Sequence, residues 1–207
     1  LVPNEQGALA AIQAGAQALA VFASASETFA RRNTNCTIAE SMDRFRPVLA
    51  LAATHGLAVR GYVSCAVECP YEGLIDPAAA RSVSQQLLDL GCAEIAVADT
   101  IGRATPDNVA AMLSEVLRSV PVARLACHFH DTSGQALANV DVALARGVRI
   151  FDSAIGGLGG CPYAPGAAGN VASERLVRHL ENLGFRTGVV PTKMKIAADV
   201  AASFRKT

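Results

Sequence analysis

Short apolar segments alternate with longer segments of helical periodicity along most of the chain, and this alternation limits the possible folds most strongly. Six segments have the length and apolar content of buried strands: Leu1–Pro3, Ala18–Ser24, Leu57–Cys65, Ala93–Thr100, Arg124–Asp131 and Arg149–Ile155. Helices are predicted over Glu5–Ala14, Thr37–Thr54, Pro77–Leu90, Pro106–Ser119, Gln135–Arg146, Val171–Leu183 and Thr192–Arg205. Repeated βα units of this length build a parallel sheet that is buried on both faces, so the predicted fold class is α/β.

Polar residues stand at the C-terminal ends of nearly all the predicted strands, as Ser24, Ser64 and Asp152 illustrate. This pattern favours a closed (β/α)8 TIM barrel, which carries its chemistry on that rim, over an open doubly wound sheet. The open sheet is further disfavoured because no G-x-G-x-x-G opens a helix after a strand. An eight-stranded barrel needs about 250 residues. We therefore expect residues 1–207 to be one catalytic barrel domain, strands three to eight plus C-terminal helices, with about the first two βα units absent.

Charge and composition exclude several classes of partner. The 18 basic and 18 acidic residues give a formal net charge of zero, which argues against nucleic acid. No apolar run approaches the roughly 18–20 residues of a membrane span. The 6 cysteines are expected to be free thiols, because the alanine-rich sequence resembles that of an intracellular protein.

Two histidines, His128 and His130, are spaced i, i+2 at the end of a predicted strand, so both side chains point to the same face. Imidazoles in this arrangement indicate a site for a divalent cation. A pair of hydrogen-bonded core histidines is the alternative, and it is costly in a dry interior. A hard or borderline cation also needs oxygen ligands. Asn170, which ends a glycine-rich loop, can supply one, or it can cap the helix predicted to begin at Val171.

Cys161 lies within that loop, in the run Gly156-Gly-Leu-Gly-Gly-Cys161-Pro, where no apolar periodicity explains it. Its thiol is a candidate nucleophile or proton carrier on a flexible lid. Asp99 shares its strand parity with Ile95 and Val97, which predicts a carboxylate on the inner rim of the barrel. The alternative is a salt bridge or a cap for the following helix.

Further polar residues surround these candidates. Arg60, Tyr62 and Ser64 share one parity and form a polar inward row suited to an anionic substrate, although Arg60 also suits a structural ion pair. Asp131 and Glu174 lie close in sequence to the proposed ligands. We expect them to orient those ligands without binding the cation themselves.

Several motifs together resemble the 3-hydroxy-3-methylglutaryl-CoA (HMG-CoA) lyase family. The most specific are Gly157-Leu-Gly-Gly-Cys161-Pro-Tyr-Ala164 with Gly169-Asn170, and His128-x-His130-Asp131-Thr132-x-Gly134. Matching stretches begin at Asn33, Arg60, Cys69 and Asp99. The His-x-His element is shared with related metal-dependent lyases and Claisen-type synthases, whereas the cysteine loop is more specific to the lyase.

The resemblance implies a barrel enzyme that uses Mg²⁺ or Mn²⁺ to cleave HMG-CoA into acetyl-CoA and acetoacetate, in leucine degradation and ketone body formation. It implies His128, His130 and Asn170 as metal ligands, Cys161 as the lid thiol and Asp99 in proton transfer. Asn33, Arg60, Tyr62 and Thr100 are assigned to substrate binding. It also implies an acyl-CoA substrate, a homodimer in the full-length protein, and a bacterial cytoplasmic or eukaryotic mitochondrial matrix location.

Other functions stay open at this point. A related synthase condensing an acyl-CoA with a 2-oxo acid would need no cysteine lid. A cysteine hydrolase using Cys161 with His128 would work without a metal. A barrel fragment without activity of its own is the third alternative, and we expect residues 1–207 alone to be inactive.

Overall fold

The computed structural model describes residues 1–160 and 169–203. The strands in these ranges are β1 (Ala18–Ser24), β2 (Ala58–Ser64), β3 (Glu68–Cys69), β4 (Gly73–Leu74), β5 (Glu94–Asp99), β6 (Leu125–Phe129) and β7 (Ile150–Asp152). The helices are α1 (Glu5–Gln13), α2 (Glu27–Thr34), α3 (Ile38–Thr54), α4 (Pro77–Asp89), α5 (Pro106–Val116), α6 (Ala136–Ala145), α7 (Ser173–Asn182) and α8 (Pro191–Ser203). In this part of the chain, no helix combines the length and apolar character needed to cross a membrane.

Five parallel strands lie side by side in the order β1-β2-β5-β6-β7, while β3 and β4 form a separate antiparallel pair. The order of the parallel strands follows the chain without reversal. A barrel is wound in this way, whereas a doubly wound sheet reverses direction at its switch point. The predicted α/β class is confirmed, and the strand order is consistent with part of the predicted (β/α)8 barrel.

The register of the sheet separates an apolar face from a polar one. Val63 pairs with Val97, and Val97 with Cys127, and all three are fully buried in the core that the helices cover. On the opposite face, His128 pairs with Asp152. Because paired residues of parallel strands point to the same side, this opposite face carries the polar side chains. We call it the inner face.

The first predicted strand is wrong. Leu1–Pro3 forms no strand, although the Val2 amide donates to the carbonyl of Ala20 at 2.8 Å. The next amide that could continue the ladder is that of Asn4, but Asn4 already caps α1 by accepting a hydrogen bond from Gly7, so the helix begins before a strand can form. The described main sheet therefore has five strands where six were predicted.

The predicted helices are present with ends shifted by a few residues, except that the predicted end of the last one, Arg205, lies outside the described residues. Side-chain caps fix the starts of several of them. Asp76 and Thr105 cap α4 and α5, each of which begins with proline, and Thr37 forms a capping box with Glu40 at the start of α3. The sequence reasoning missed α2, which has a polar composition without a clear apolar period. Its start is fixed by Ser26, whose hydroxyl accepts from the Phe29 amide at 3.0 Å.

Candidate active site

The two histidines lie together at the C-terminal end of β6, on the inner face. His128 is within the strand and His130 follows it, and their Nε2 atoms are 3.3 Å apart. Burial lowers the pKa of His130, and neighbouring His128 lowers it further, while contacts with the Thr100 backbone and the Asn170 side chain act in the opposite direction. His130 is therefore neutral at pH 7, the form in which imidazole binds cations.

Asn170 is held beside His130 by the backbone. The two residues form an antiparallel bridge, flanked by hydrogen bonds from the Asp131 amide to the Gly169 carbonyl and from the Val171 amide to the Phe129 carbonyl. A side chain at position 169 would collide with the carbonyl oxygen of Gly159, so this approach requires glycine.

The Asn170 side chain is buried and only partly satisfied. Its Nδ2 donates to the carbonyl of Leu158 at 2.9 Å, whereas its Oδ1 is buried without a hydrogen-bond partner among the described residues. An unpaired buried carbonyl is costly, and a cation would satisfy it. The alternative of Asn170 as a helix cap is wrong, because α7 begins at Ser173 with Ala172 at the N-cap.

Across the inner face, a carboxylate connects His128 to the other polar side chains. Asp152 Oδ2 lies 3.1 Å from His128 Nδ1 and accepts a hydrogen bond from the Tyr62 hydroxyl at 2.9 Å. Arg60 Nη1 donates to Asp152 Oδ1 at 2.7 Å and to the Tyr62 oxygen at 2.8 Å, and Arg60 Nε donates to Glu94. Arg60 and Tyr62 lie on the same face, as their shared parity predicts, and the alternative of Arg60 as an ion-pair residue is confirmed. Substrate binding by this row stays a prediction.

These contacts fix the charges in the network. Burial raises the pKa of Asp152, but hydrogen bonds from His128 and Arg60 outweigh it and lower the pKa to about 2. Burial opposes the charge on Arg60, yet its bonds to Asp152 and Tyr62 raise the Arg60 pKa above its ordinary value. Burial also raises the pKa of Tyr62, which stays protonated. The sequence predicted no role for Glu94 or Asp152, although Asp152 is one of the polar residues at the C-terminal ends of the predicted strands.

Asp99 does not lie on the inner face, so that part of its prediction is wrong. Asp99 pairs with Phe129, which faces the helices, and its side chain is 1% exposed. Its two oxygens accept hydrogen bonds from the amides of Gly102, Arg103 and Ala104 at 3.0–3.2 Å. Burial raises the Asp99 pKa to about 6, against the lowering effect of these amides. The carboxylate thus organises the loop after β5.

The remaining predicted residues take different positions. Thr100 Oγ1 accepts from the Cys65 amide at 2.7 Å, and Asn33 lies in α2, where it lines a cavity with Phe22 and Arg44. Neither histidine lines that cavity.

The two predicted supporting carboxylates hold loops next to the ligands. Asp131 accepts from the Ala136 amide at 3.1 Å and pairs with Arg175, and Glu174 accepts from the Gly156 amide at 3.0 Å. Cys161 lies outside the described residues.

The described residues contain no group of three or more His, Cys, Asp and Glu side chains arranged to hold a metal. The candidate centre is instead two imidazoles and an amide, His128, His130 and Asn170. Two nitrogens and one oxygen suit a borderline or hard divalent cation that completes its coordination with water or substrate.

Comparison with known proteins gives consistent results. The family model described as HMGL-like matches residues 1–201. A curated hydroxymethylglutaryl-CoA lyase from Pseudomonas mevalonii is 55% identical over 189 residues, which cover 91% of this chain and 63% of that protein. The chain spans about three fifths of the length of the curated relatives it matches, between 58% and 63% for three of them.

Solved structures agree. The HMG-CoA lyase of Brucella melitensis has a TM-score of 0.98 and 52% identity, covering 100% of this chain and 73% of that one. An HMG-CoA lyase from Acinetobacter baumannii, solved in complex with coenzyme A and 3-methylmalate, has a TM-score of 0.86 and 38% identity, covering 93% of this chain and 63% of that one.

Proposed function

We propose, from the premise that this chain belongs to the HMGL-like family, that it carries the cation-binding part of a lyase active site. The reaction is cleavage of (S)-3-hydroxy-3-methylglutaryl-CoA to acetyl-CoA and acetoacetate. The 55% identity to a hydroxymethylglutaryl-CoA lyase supports this substrate, and the relative with coenzyme A bound supports an acyl-CoA ligand. The formation of a homodimer stays a prediction.

The observation that carries the proposal is the unpartnered oxygen of Asn170 beside two imidazoles. His128, His130 and Asn170 would hold Mg²⁺ or Mn²⁺. When bound, a divalent cation lowers the pKa of a substrate hydroxyl and polarises carbonyl oxygens. This is the chemistry that a retro-Claisen cleavage requires.

The bond changes define what the protein residues must do. The tertiary hydroxyl gives its proton to a base, and its electron pair forms the carbonyl of acetoacetate as the C2–C3 bond breaks. The electrons of that bond form the enolate of acetyl-CoA, which takes a proton at C2. We assign this second proton to the thiol of Cys161. Arg60 and Tyr62 contact the substrate from the inner face.

Asp99 takes a positioning role in the proposal. Its carboxylate is occupied by three amides and lies on the helix side of β5. Through the loop that it organises, it sets Thr100, whose backbone contacts His130. Asp131 and Glu174 similarly hold the segments that carry His130 and Asn170.

The experiment compares the chain alone with a chimera in which it replaces the matching region of the Pseudomonas mevalonii relative. Acetyl-CoA and acetoacetate are measured from HMG-CoA, with Mn²⁺ and with a chelator. We expect the chimera to form both products only with the cation. A folded chimera that binds Mn²⁺ but leaves HMG-CoA intact would exclude this substrate, and consumption of acetyl-CoA with a 2-oxo acid would favour a synthase.

A further inference from the structure

Asp152 is placed to control one of the two imidazoles. It is the inner-face residue paired with His128 across β6 and β7, and its Oδ2 lies 3.1 Å from His128 Nδ1. The other ring nitrogen of His128, Nε2, is 3.3 Å from His130 Nε2. The two nitrogens of one ring therefore face different partners, a carboxylate on one side and the candidate cation site on the other.

The contacts of Asp152 leave it able only to accept hydrogen bonds. Arg60 has no acceptor, so Oδ1 of Asp152 accepts at 2.7 Å from its Nη1. The Tyr62 oxygen accepts from the same Arg60 nitrogen, so its proton is directed to Oδ2. A carboxylate that receives donors on both oxygens carries no proton of its own. The bond to His128 therefore requires the proton to be on Nδ1.

Three alanines allow this network to reach across the sheet. Arg60 is on β2 and Asp152 on β7, with β5 and β6 between them. The inner-face positions on those two strands include Ala96, Ala98 and Ala126, all buried. Their methyl groups leave room above the sheet for the Arg60 side chain. Asp152 is thereby fixed from a distant strand and not only by its neighbour.

We propose that Asp152 is a positioning residue, which keeps the His128 proton on Nδ1 and thereby presents an unprotonated Nε2 to the cation site. The orientation of a ligating histidine by a hydrogen bond to its second nitrogen is a general feature of metal sites. The consequence for catalysis rests on the proposed function, whereas the tautomer is a property of the chain alone.

The test is Asp152→Asn, studied by two-bond ¹H–¹⁵N correlation spectra of the imidazoles at pH 8. The chain has 4 histidines, so His128 can be assigned by single substitutions. In the variant the only side-chain oxygen stays with Arg60, and the amide nitrogen takes the Oδ2 position and donates to His128. We expect wild-type His128 to carry its proton on Nδ1 and the variant to carry it on Nε2. The affinity for Mn²⁺, measured by calorimetry, should fall about 10- to 100-fold.

Glu94→Gln is the matched control, because Glu94 is the other carboxylate on Arg60 and pairs with Arg60 across β2 and β5. It should keep the Nδ1 tautomer and the wild-type Mn²⁺ affinity. An Nε2 proton in the wild type, or an Nδ1 proton retained in folded Asp152→Asn, would overturn the proposal, as would the same switch in Glu94→Gln. If Asp152→Asn does not fold, the wild-type and Glu94→Gln spectra decide. If the wild type binds no Mn²⁺, the proposed function fails while the tautomer is still decided.

Discussion

Asn170→Ala should separate stability from cation binding, because the side chain is poorly satisfied without a cation. The substitution removes the 2.9 Å hydrogen bond to Leu158, which contributes about 1 kcal/mol. It also removes a buried carbonyl without a partner, which costs about 1–3 kcal/mol while it is present. The two effects oppose each other. Without cation, we expect the free energy of unfolding to change by less than about 1 kcal/mol, or to rise.

With cation, the difference should be large. Mn²⁺ at 100 times its dissociation constant stabilises a folded protein by about 2.7 kcal/mol. If Asn170→Ala weakens binding tenfold, the same concentration adds only about 1.4 kcal/mol. Urea unfolding with and without Mn²⁺, together with calorimetric titration, measures both quantities.

Asn170→Asp is the control variant, because it changes the side chain but retains an oxygen that can bind the cation. It keeps an oxygen ligand and should keep Mn²⁺ affinity, while burial of an additional carboxylate lowers stability in the absence of the cation. An Asn170→Ala protein that Mn²⁺ stabilises as much as the wild type would refute the assignment of Asn170 as a ligand. A loss well above 1 kcal/mol without cation would show that its unpaired oxygen is satisfied in solution.

Three further predictions concern single side chains. His130→Ala should weaken Mn²⁺ binding and turnover of the chimera together, whereas His55→Ala, at the end of α3, should change neither; an unaltered Mn²⁺ titration of folded His130→Ala would contradict the ligand assignment. Cys161→Ala in the chimera should lower turnover about 10²- to 10⁴-fold at nearly constant Mn²⁺ affinity, and equal turnover would remove the thiol from the reaction. Burial raises the Asp99 pKa from 3.8 to about 6, so the folded state binds this proton more tightly and the free energy of unfolding should fall as pH rises from 3.8 to about 6. Urea unfolding across this range should show a smaller fall in Asp99→Asn, and identical slopes would exclude Asp99 as the group responsible.

The proximity of His128, His130 and Asn170 could be predicted from sequence because it depends on few assumptions. The two-residue period of a strand puts both histidines on one face. The ends of parallel strands meet at one rim, and Asn170 follows the last of the predicted strands. The unpaired oxygen of Asn170 could not be predicted, because it depends on which atom of the amide meets the Leu158 carbonyl.

Asp99 shows the limit of the same reasoning. Strand parity says which residues share a face, but not which face is turned inwards. The four residues before Asp99, from Ile95 to Ala98, are all apolar, and the two polar ends of β5, Glu94 and Asp99, have opposite parity, so the strand alone gives conflicting indications of direction. The register with β6 decides, because it places Asp99 beside Phe129, on the side opposite to His128.

The polar network could be predicted from the sequence only in part, because its charge balance depends on contacts across several strands. Arg60 alone suggests a binding site for an anion, but its guanidinium already pairs with Glu94 and Asp152. One positive and two negative groups leave these three residues with a net charge of minus one. His130 and Asn170 are neutral and add nothing to it. These side chains therefore provide no excess positive charge for an anionic acyl-CoA, and a divalent cation held by His128, His130 and Asn170 would reverse the sign of the charge at this face.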